Sequence, residues 1–319
     1  MNVRNAEDYG KVAVLMGGDS HEREVSLRSG TAIYEALLSK GIDAHTFDPA
    51  KQPISELSTK HFDRAFIALH GKHGEDGVIQ GALEMMSIPY SGSGILASAI
   101  GMDKVRSKLI WQALDLPVIP GVAVEPETNF KVPDAEKIIL HLGKNLMVKP
   151  SSEGSSIGMT VCHDAEQLVT AVETAREFSE RVLVETLLSG PEYTVTILQD
   201  QYFPSIRIEP KREFYDYEAK YSDAGTEYFC PSGLDEELEK HLGEVSLKAF
   251  KAIGCIGWGR VDFMHDAVSD KYLLIEINTV PGMTETSLVP KSALSKGISF
   301  ADLVMTILDS SFIAQGLKA

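Results

Sequence analysis

An α/β fold containing both parallel and antiparallel sheets is predicted by three features of the chain. Strands and helices alternate through the first hundred residues, a smaller mixed unit follows, and two apolar runs near residues 260–278 form a hairpin. Strand–helix–strand alternation gives a parallel sheet covered by helices, whereas a short polar connector joins antiparallel neighbours.

Val12-Ala-Val-Leu15 reads as a short buried strand broken by Gly17-Gly18. Asp19, with Glu22 three residues on, matches a capping box opening a helix to about Lys40, which Gly41 ends. Strands follow at 44–47 and 65–69, and Tyr90-Ser-Gly-Ser-Gly94 reads as a linker. From Ile95 one helical stretch runs through Lys104 to Ala113. Strands are then expected near 121–124, 145–149 and 182–185, with a helix at 165–178. The last third opens with strands at 192–198 and 205–208, then carries a polar-aromatic insertion over 211–231. A connection that long inside a compact domain is functional or lacks fixed structure. A helix at 235–253, the hairpin and a closing helix announced by Ser299-x-x-Asp302 complete the chain. The expected units are 1–94, 95–187 and 188–319.

At 319 residues, 44% of them hydrophobic, the chain can build two or three ordinary globular cores. Its formal net charge of -16, from 30 Lys+Arg against 46 Asp+Glu, argues against nucleic acid or an anionic membrane as the main partner. An anionic substrate would need a local cluster of Lys and Arg, a metal, or both. Cys162, Cys230 and Cys255 are far apart with no C-x-x-C spacing, as expected of reduced cytosolic thiols. Residues 1–10 lack the apolar core of a signal peptide, and no run reaches transmembrane length. The expectation is a cytoplasmic protein.

The hairpin holds the densest chemistry. In Arg260-Val-Asp262-Phe-Met and Leu274-Ile-Glu276-Ile-Asn278 the polar residues fall at every second position, so Arg260 shares a face with Asp262, and Glu276 with Asn278. If those faces coincide, two carboxylates, an amide and a guanidinium converge. Oxygen donors without Cys or His suit a hard cation, Mg²⁺ before Zn²⁺. The plainer alternative is the solvated face of a half-buried sheet.

Lys149-Pro-Ser-Ser-Glu-Gly-Ser-Ser-Ile-Gly158 leaves a strand with backbone N–H groups and hydroxyls able to close over phosphate oxygens. It is not a P-loop, no G-x-G-x-x-G follows the first strand, and an ordinary Ser/Gly turn would look the same. Glu185-Thr-Leu-Leu188 at a strand end could offer backbone groups to an adenine edge, and Glu192 could meet a ribose. His70-Gly-Lys-His-Gly-Glu-Asp-Gly77 follows a parallel strand at the end where such sheets bind ligands, although a loop of turn formers is the competing reading. Glu22 alone could be a helix cap.

Taken together, the motifs Gly-Gly-x-Ser-x-Glu-x-x-Val-Ser, His-Gly-x-x-Gly-Glu-Asp-Gly, Lys-Pro-x-x-x-Gly-Ser-Ser, Lys-Tyr, Gly-Arg-x-Asp, Glu-x-Asn and Pro-Gly-Met-Thr-x-x-Ser occur in one order. Over essentially its full length the chain resembles the D-alanine–D-alanine ligases of the ATP-grasp family. The resemblance implies three domains: a Rossmann-like parallel sheet, then two further units that hold ATP between their sheets. It implies ATP contacts by Lys104, Lys149, Ser156, Glu185, Leu188, Glu192 and Lys220, and two Mg²⁺ (or Mn²⁺) ions held by Asp262, Glu276 and Asn278. The first D-alanine's ammonium would meet Glu22, with His70 nearby. Its carboxylate would attack the γ-phosphorus to give an acyl phosphate, which the second D-alanine's amine then attacks. Arg260 and the Gly282 N–H would stabilise the oxyanion, and Ser287 and Leu288 would bind the second carboxylate. Ser155 and Tyr221 would bond toward Glu22 and close the 211–231 segment as a lid. A homodimer is expected.

Two rivals stay open at this stage. A depsipeptide ligase of the same fold would join D-alanine to D-lactate, although Tyr221 matches the dipeptide type. A non-catalytic nucleotide-binding regulator would have no reason to keep Arg260, Asp262, Glu276 and Asn278 together. A dehydrogenase is disfavoured by the missing G-x-G-x-x-G.

Overall fold

The computed structural model describes residues 4–209 and 225–313, organised by three sheets. In the first, β1 (Lys11–Leu15) is followed by α1 (Arg23–Ser39), β2 (Asp43–Phe47), α2 (Glu56–Thr59), β3 (Arg64–Ile67) and α3 (Val78–Met85). The strands are parallel in the order β2-β1-β3, as the alternation predicts. The expected linker is instead part of the fold. Tyr90 is fully buried and bridges Ala65 as a one-residue parallel addition to the sheet, and Ser91 Oγ accepts a hydrogen bond from Ile67 N at 3.0 Å.

The expected capping box at Asp19 does not form. Gly17 and Gly18, at φ +84° and +72°, turn the chain in the left-handed region, and the helix starts at Arg23 with Glu22 in the cap position. Asp19 bonds to His73 instead, and the Glu22 side chain is left to enter the site.

The single helix expected over 95–113 is two, α4 (Ile95–Met102) and α5 (Lys104–Ala113), broken at an extended Asp103. Asp103 caps α5 by accepting from Arg106 N at 3.0 Å. Both helices pack toward the third sheet, where Trp111 is buried and donates to Ala249 O at 3.0 Å.

The second sheet contains β4 (Gly121–Val124), β5 (Leu146–Pro150), β6 (Thr160–Cys162) and β7 (Val182–Thr186), antiparallel in the order β4-β7-β5-β6. Helices α6 (Val132–Leu142) and α7 (Ala165–Arg176) cover it. Period 2 decides what each face does. Leu146, Val148, Val182 and Val184 join the helices in a core, which turns Met147, Lys149 and Glu185 to the opposite face.

The third sheet runs β11-β10-β8-β12-β13, with β9 paired to β8. Its strands are β8 (Glu192–Leu198), β9 (Gln201–Tyr202), β10 (Ile206–Glu209), β11 (Glu227–Phe229), β12 (Trp258–Asp266) and β13 (Lys271–Asn278). Helix α8 (Glu236–Ala252) supplies Phe250 to its core, and α9 (Leu288–Ser295) and α10 (Phe300–Asp309) follow the hairpin. Of the insertion expected at 211–231, residues 211–224 lie outside the described residues; its end forms β11. Two contacts draw the second and third sheets together: Val118 bridges Leu274, and Leu274 N donates to Pro117 O at 2.7 Å. Helix α10, capped by Ser299 as expected, returns Leu303, Val304 and Ile307 to the core of the first sheet. The loop after β13 is thereby held against the His70 loop.

Candidate active site

Two clefts meet at Glu192 and Glu276, which line both. The first lies between the second and third sheets. Lys149 and Glu185 reach it from β5 and β7, Ser156 from the Ser/Gly loop, Lys104 from the first turn of α5, and Leu188 from the chain after β7. The Leu188 N–H forms no hydrogen bond among the described residues. Glu185 is 1% exposed and contacts two ammonium groups, Lys149 at 2.7 Å and Lys108. Burial alone would push its carboxyl up, but the two lysines outweigh this and hold it below the usual range. Lys149 is pushed down by burial and further up by Glu185, so it remains a firm cation.

The Ser/Gly loop serves both clefts. Ser151 is anchored by Arg181 O and by its hydroxyl on Asp103, and Lys104 donates to Glu153 O at 2.6 Å. Ser155 and Ser156 lie in succession at φ +50° and +60°. Two non-glycine residues in that region store strain. The result aims the Ser155 hydroxyl at Glu22, to which it donates, while Ser156 faces the first cleft.

The second cleft is bounded by Glu22, His70, Ser155, Arg260, Gly282, Ser287 and Leu288. The Glu22 carboxylate sits where Gly71 and Gly154 carry no Cβ. His70 is buried; its Nδ1 donates to Val280 O at 2.8 Å and its Nε2 accepts from Ser29 Oγ at 3.0 Å. Both ring nitrogens are committed, and desolvation lowers its pKa, so it is a neutral positioning group here. Glu75 accepts from Gly71 N at 2.8 Å and Val280 N at 3.0 Å, tying the same loops together. Burial and the nearby Glu22 push its carboxyl up to about 8.

The hairpin register agrees with the period-2 reading: Arg260 pairs with Asn278, and Asp262 with Glu276. A bulge after Asp262 leaves Ile275 without a register partner and ends the simple alternation there. Asp262, 1% exposed, accepts from Arg260 through both oxygens at 2.8 Å, from Thr194 Oγ1 at 2.6 Å and from Asn278 Nδ2 at 2.8 Å. Glu276 contacts Lys104 at 2.9 Å. Among the described residues no three His, Cys, Asp or Glu side chains form a complete metal site. Glu276 and Asn278 face the second cleft with oxygen donors that suit a hard cation taking part of its coordination from phosphate, as Mg²⁺ commonly does, whereas Asp262 would have to give up one of its four hydrogen bonds to join them.

Lys220 and Tyr221 lie outside the described residues. Every other residue expected at the site lines one of the two clefts except Asp262, which lies beneath Arg260. Sequence reasoning missed Lys108, Glu75, Asp103 and Gly154. Of these, Asp103 carried a usable signal, as a cap three residues before Arg106.

Family models for the D-ala D-ala ligase N-terminus and C-terminus match residues 43–93 and 110–309. A D-alanine--D-alanine ligase of Pseudoalteromonas atlantica is 51% identical over 300 residues, 94% of each chain. One of Alkalilimnicola ehrlichii is 51% identical over 308 residues, covering 97% of this chain and 96% of the relative. The crystal structure of the Bacillus anthracis D-alanine--D-alanine ligase complexed with ATP superposes with a TM-score of 0.82 at 32% identity, covering 95% of this chain and 97% of that one. With both of its family models matched and half its residues shared with named members, this chain belongs to the D-alanine–D-alanine ligase family.

Proposed function

We propose that the chain joins two D-alanines at the expense of ATP, giving ADP, phosphate and the dipeptide used for cell-wall peptidoglycan. The observation that carries this reading is the junction of the two clefts. Cations and a hydroxyl-rich loop line one, an ammonium-accepting carboxylate and an oxyanion donor line the other, and Glu192 and Glu276 border both.

In this reading Lys104 and Lys149 neutralise phosphate charge, Leu188 N–H meets the adenine edge, and Glu192 meets the ribose. Asp262, Glu276 and Asn278 would hold two Mg²⁺ ions, which supply further neutralisation of phosphate charge. Glu22 binds the first ammonium, its position fixed by Ser155 and by the two glycines around it. That D-alanine's carboxylate attacks the γ-phosphorus and ADP leaves. The second amine, unprotonated, attacks the acyl carbon and phosphate leaves. Arg260, oriented by Asp262, and the Gly282 N–H stabilise the developing oxyanion. Ser287 and the start of α9 receive the second carboxylate. By the family resemblance Lys220 and Tyr221, which lie outside the described residues, would complete the site, and the working units would be 1–94, 95–187 and 188–319.

A cytoplasmic homodimer completes the proposal. It is supported by three free cysteines, by the lack of a long apolar helix among the described residues, and by exposed Val78, Met85 and Leu96 on successive helices.

Phosphate release from ATP, measured with D-alanine, L-alanine, or D-alanine plus D-lactate, tests the reading. D-Alanine should support release and dipeptide formation, L-alanine neither, and the mixture at about pH 8 should give dipeptide, increasingly so as pH rises and the unprotonated fraction of the amine grows. Predominant depsipeptide would reassign the substrate, and no D-alanine-dependent release would reject the function.

A further inference from the structure

Lys108 lies outside both clefts yet controls the charge of one wall. It projects from α5 with its side chain 5% exposed and contacts Oε1 of Glu185, while Lys149 holds Oε2. Its ammonium also donates to Leu274 O at 3.0 Å. It therefore joins β7 of the second sheet to β13 of the third, the strand that carries Ile275 and Glu276 into the same cleft. Burying a lysine is costly, and desolvation lowers its pKa even beside Glu185.

We propose that Lys108 is a positioning residue for nucleotide binding, holding one oxygen of Glu185 so that Lys149 stays available to phosphate. Two ammonium groups on one carboxylate leave the cluster of Lys108, Glu185 and Lys149 with a net positive charge. Lys149 has three donors, and its ion pair with Glu185 Oε2 leaves donors for an anionic ligand. Without Lys108, a carboxylate 1% exposed would have Lys149 as its sole cationic partner. Lys149 would be drawn across both oxygens, and its charge would be cancelled where the polyphosphate arrives. The inference rests on the proposed ATP-dependent function and adds to it a residue that touches no substrate.

The test compares the full-length protein with Lys108→Met, Glu185→Gln and the double variant. Each is titrated calorimetrically with a non-hydrolysable ATP analogue and assayed at varied ATP and D-alanine. For Lys108→Met, the analogue Kd and the KM for ATP should rise by about tenfold or more, the scale of losing a charge-assisted hydrogen bond. The KM for D-alanine should stay within about twofold. In the double variant no carboxylate remains to capture Lys149, so affinity should return to that of Glu185→Gln alone. If Lys108→Met does not fold, the double variant, in which no buried carboxylate is left with Lys149 as its sole cationic partner, still has to match Glu185→Gln. Lys108→Met binding nucleotide like the wild type would overturn the role. So would parallel losses for ATP and D-alanine that Glu185→Gln does not relieve, since those mark a merely structural lysine. A wild type that binds no adenine nucleotide would instead reject the proposed function, and this role with it.

Discussion

Lys104 Nζ lies 2.9 Å from Glu276 Oε2, linking the first turn of α5 to β13 across the junction of the two clefts. The same ammonium donates to Glu153 O at 2.6 Å, and Asp103 immediately before it caps α5 and accepts from Ser151 Oγ at 2.7 Å. A helix start, a phosphate-type loop and a hairpin strand are therefore fixed to one another through two adjacent residues. The break between α4 and α5 creates this arrangement, because a continuous helix would keep Asp103 from the extended conformation its capping role requires.

Glu276→Gln removes one carboxylate from the proposed metal set and the partner of Lys104, while keeping the side chain's shape. At limiting Mg²⁺ we expect turnover to fall by at least ~10-fold, the range that disturbing a metal's supporting shell already costs. Raising Mg²⁺ should recover part of it. Rates measured across a Mg²⁺ series, with circular dichroism as a check on folding, decide the matter. Near-normal turnover at limiting Mg²⁺ would remove the hairpin from the metal site.

Ser155→Gly separates stability from activity. At φ +50° glycine relieves a left-handed conformation that costs other residues roughly 1–2 kcal/mol, which offsets much of the hydrogen bond lost on Glu22, so thermal stability should change little. The hydroxyl that donates to Glu22 is lost, and a hydrogen bond to a charged group is worth about 1.5–3 kcal/mol. The ratio kcat/KM for D-alanine should drop accordingly. Loss of stability together with activity would show that the loop, rather than the hydroxyl, is what matters.

The sequence displayed the parts of this site that follow from local periodicity. Arg260, Asp262, Glu276 and Asn278 could be placed on one face because strands alternate, and the register pairs them as that rule requires. Lys149 likewise follows from its strand. Contacts between residues far apart in the chain left no local trace. Glu22 resembled a helix-cap residue, and its partnership with Ser155 spans 133 positions. Lys108 sits on a helix whose pattern says only that the residue faces inward, and Glu185 is 77 positions away by its number. Helix α6 is absent from the sequence reading although Pro133 and Asp134 in its first turn are start signals and Ala135, Ile138 and Leu142 fall at helical spacing.

Gly154→Ala probes the space around Glu22. The backbone of Gly154 is outside the left-handed region, so alanine is conformationally acceptable there, but its Cβ would sit 2.9 Å from Glu22 Oε2. The carboxylate must shift by several tenths of an ångström. A displacement on that scale disturbs a positioned reactant. The KM for the first D-alanine should rise while the thermal midpoint and nucleotide affinity stay near wild type. An unchanged KM would show that Glu22 has room to move without consequence.

His70 predicts how stability responds to acid. In the folded protein its ring is buried and neutral, donating to Val280 O and accepting from Ser29, and its pKa lies below the ordinary value of 6.5. In the unfolded chain it titrates near 6.5, so below that pH the unfolded state binds a proton that the folded state refuses. The stabilising contribution is thus present above 6.5 and is lost as pH falls toward the depressed folded pKa. The slope is at most about 1.4 kcal/mol per pH unit from this one group. Urea midpoints of wild type and His70→Asn between about pH 5 and 7.5 measure it, since only the wild type carries the titrating ring. The variant should be less stable at neutral pH, having lost buried partners, but its stability should fall less steeply with acid. Parallel slopes in the two proteins would mean that His70 takes up its proton within the fold, and that the neutral ring bridging the first sheet to the loop after β13 is not what holds this side of the site.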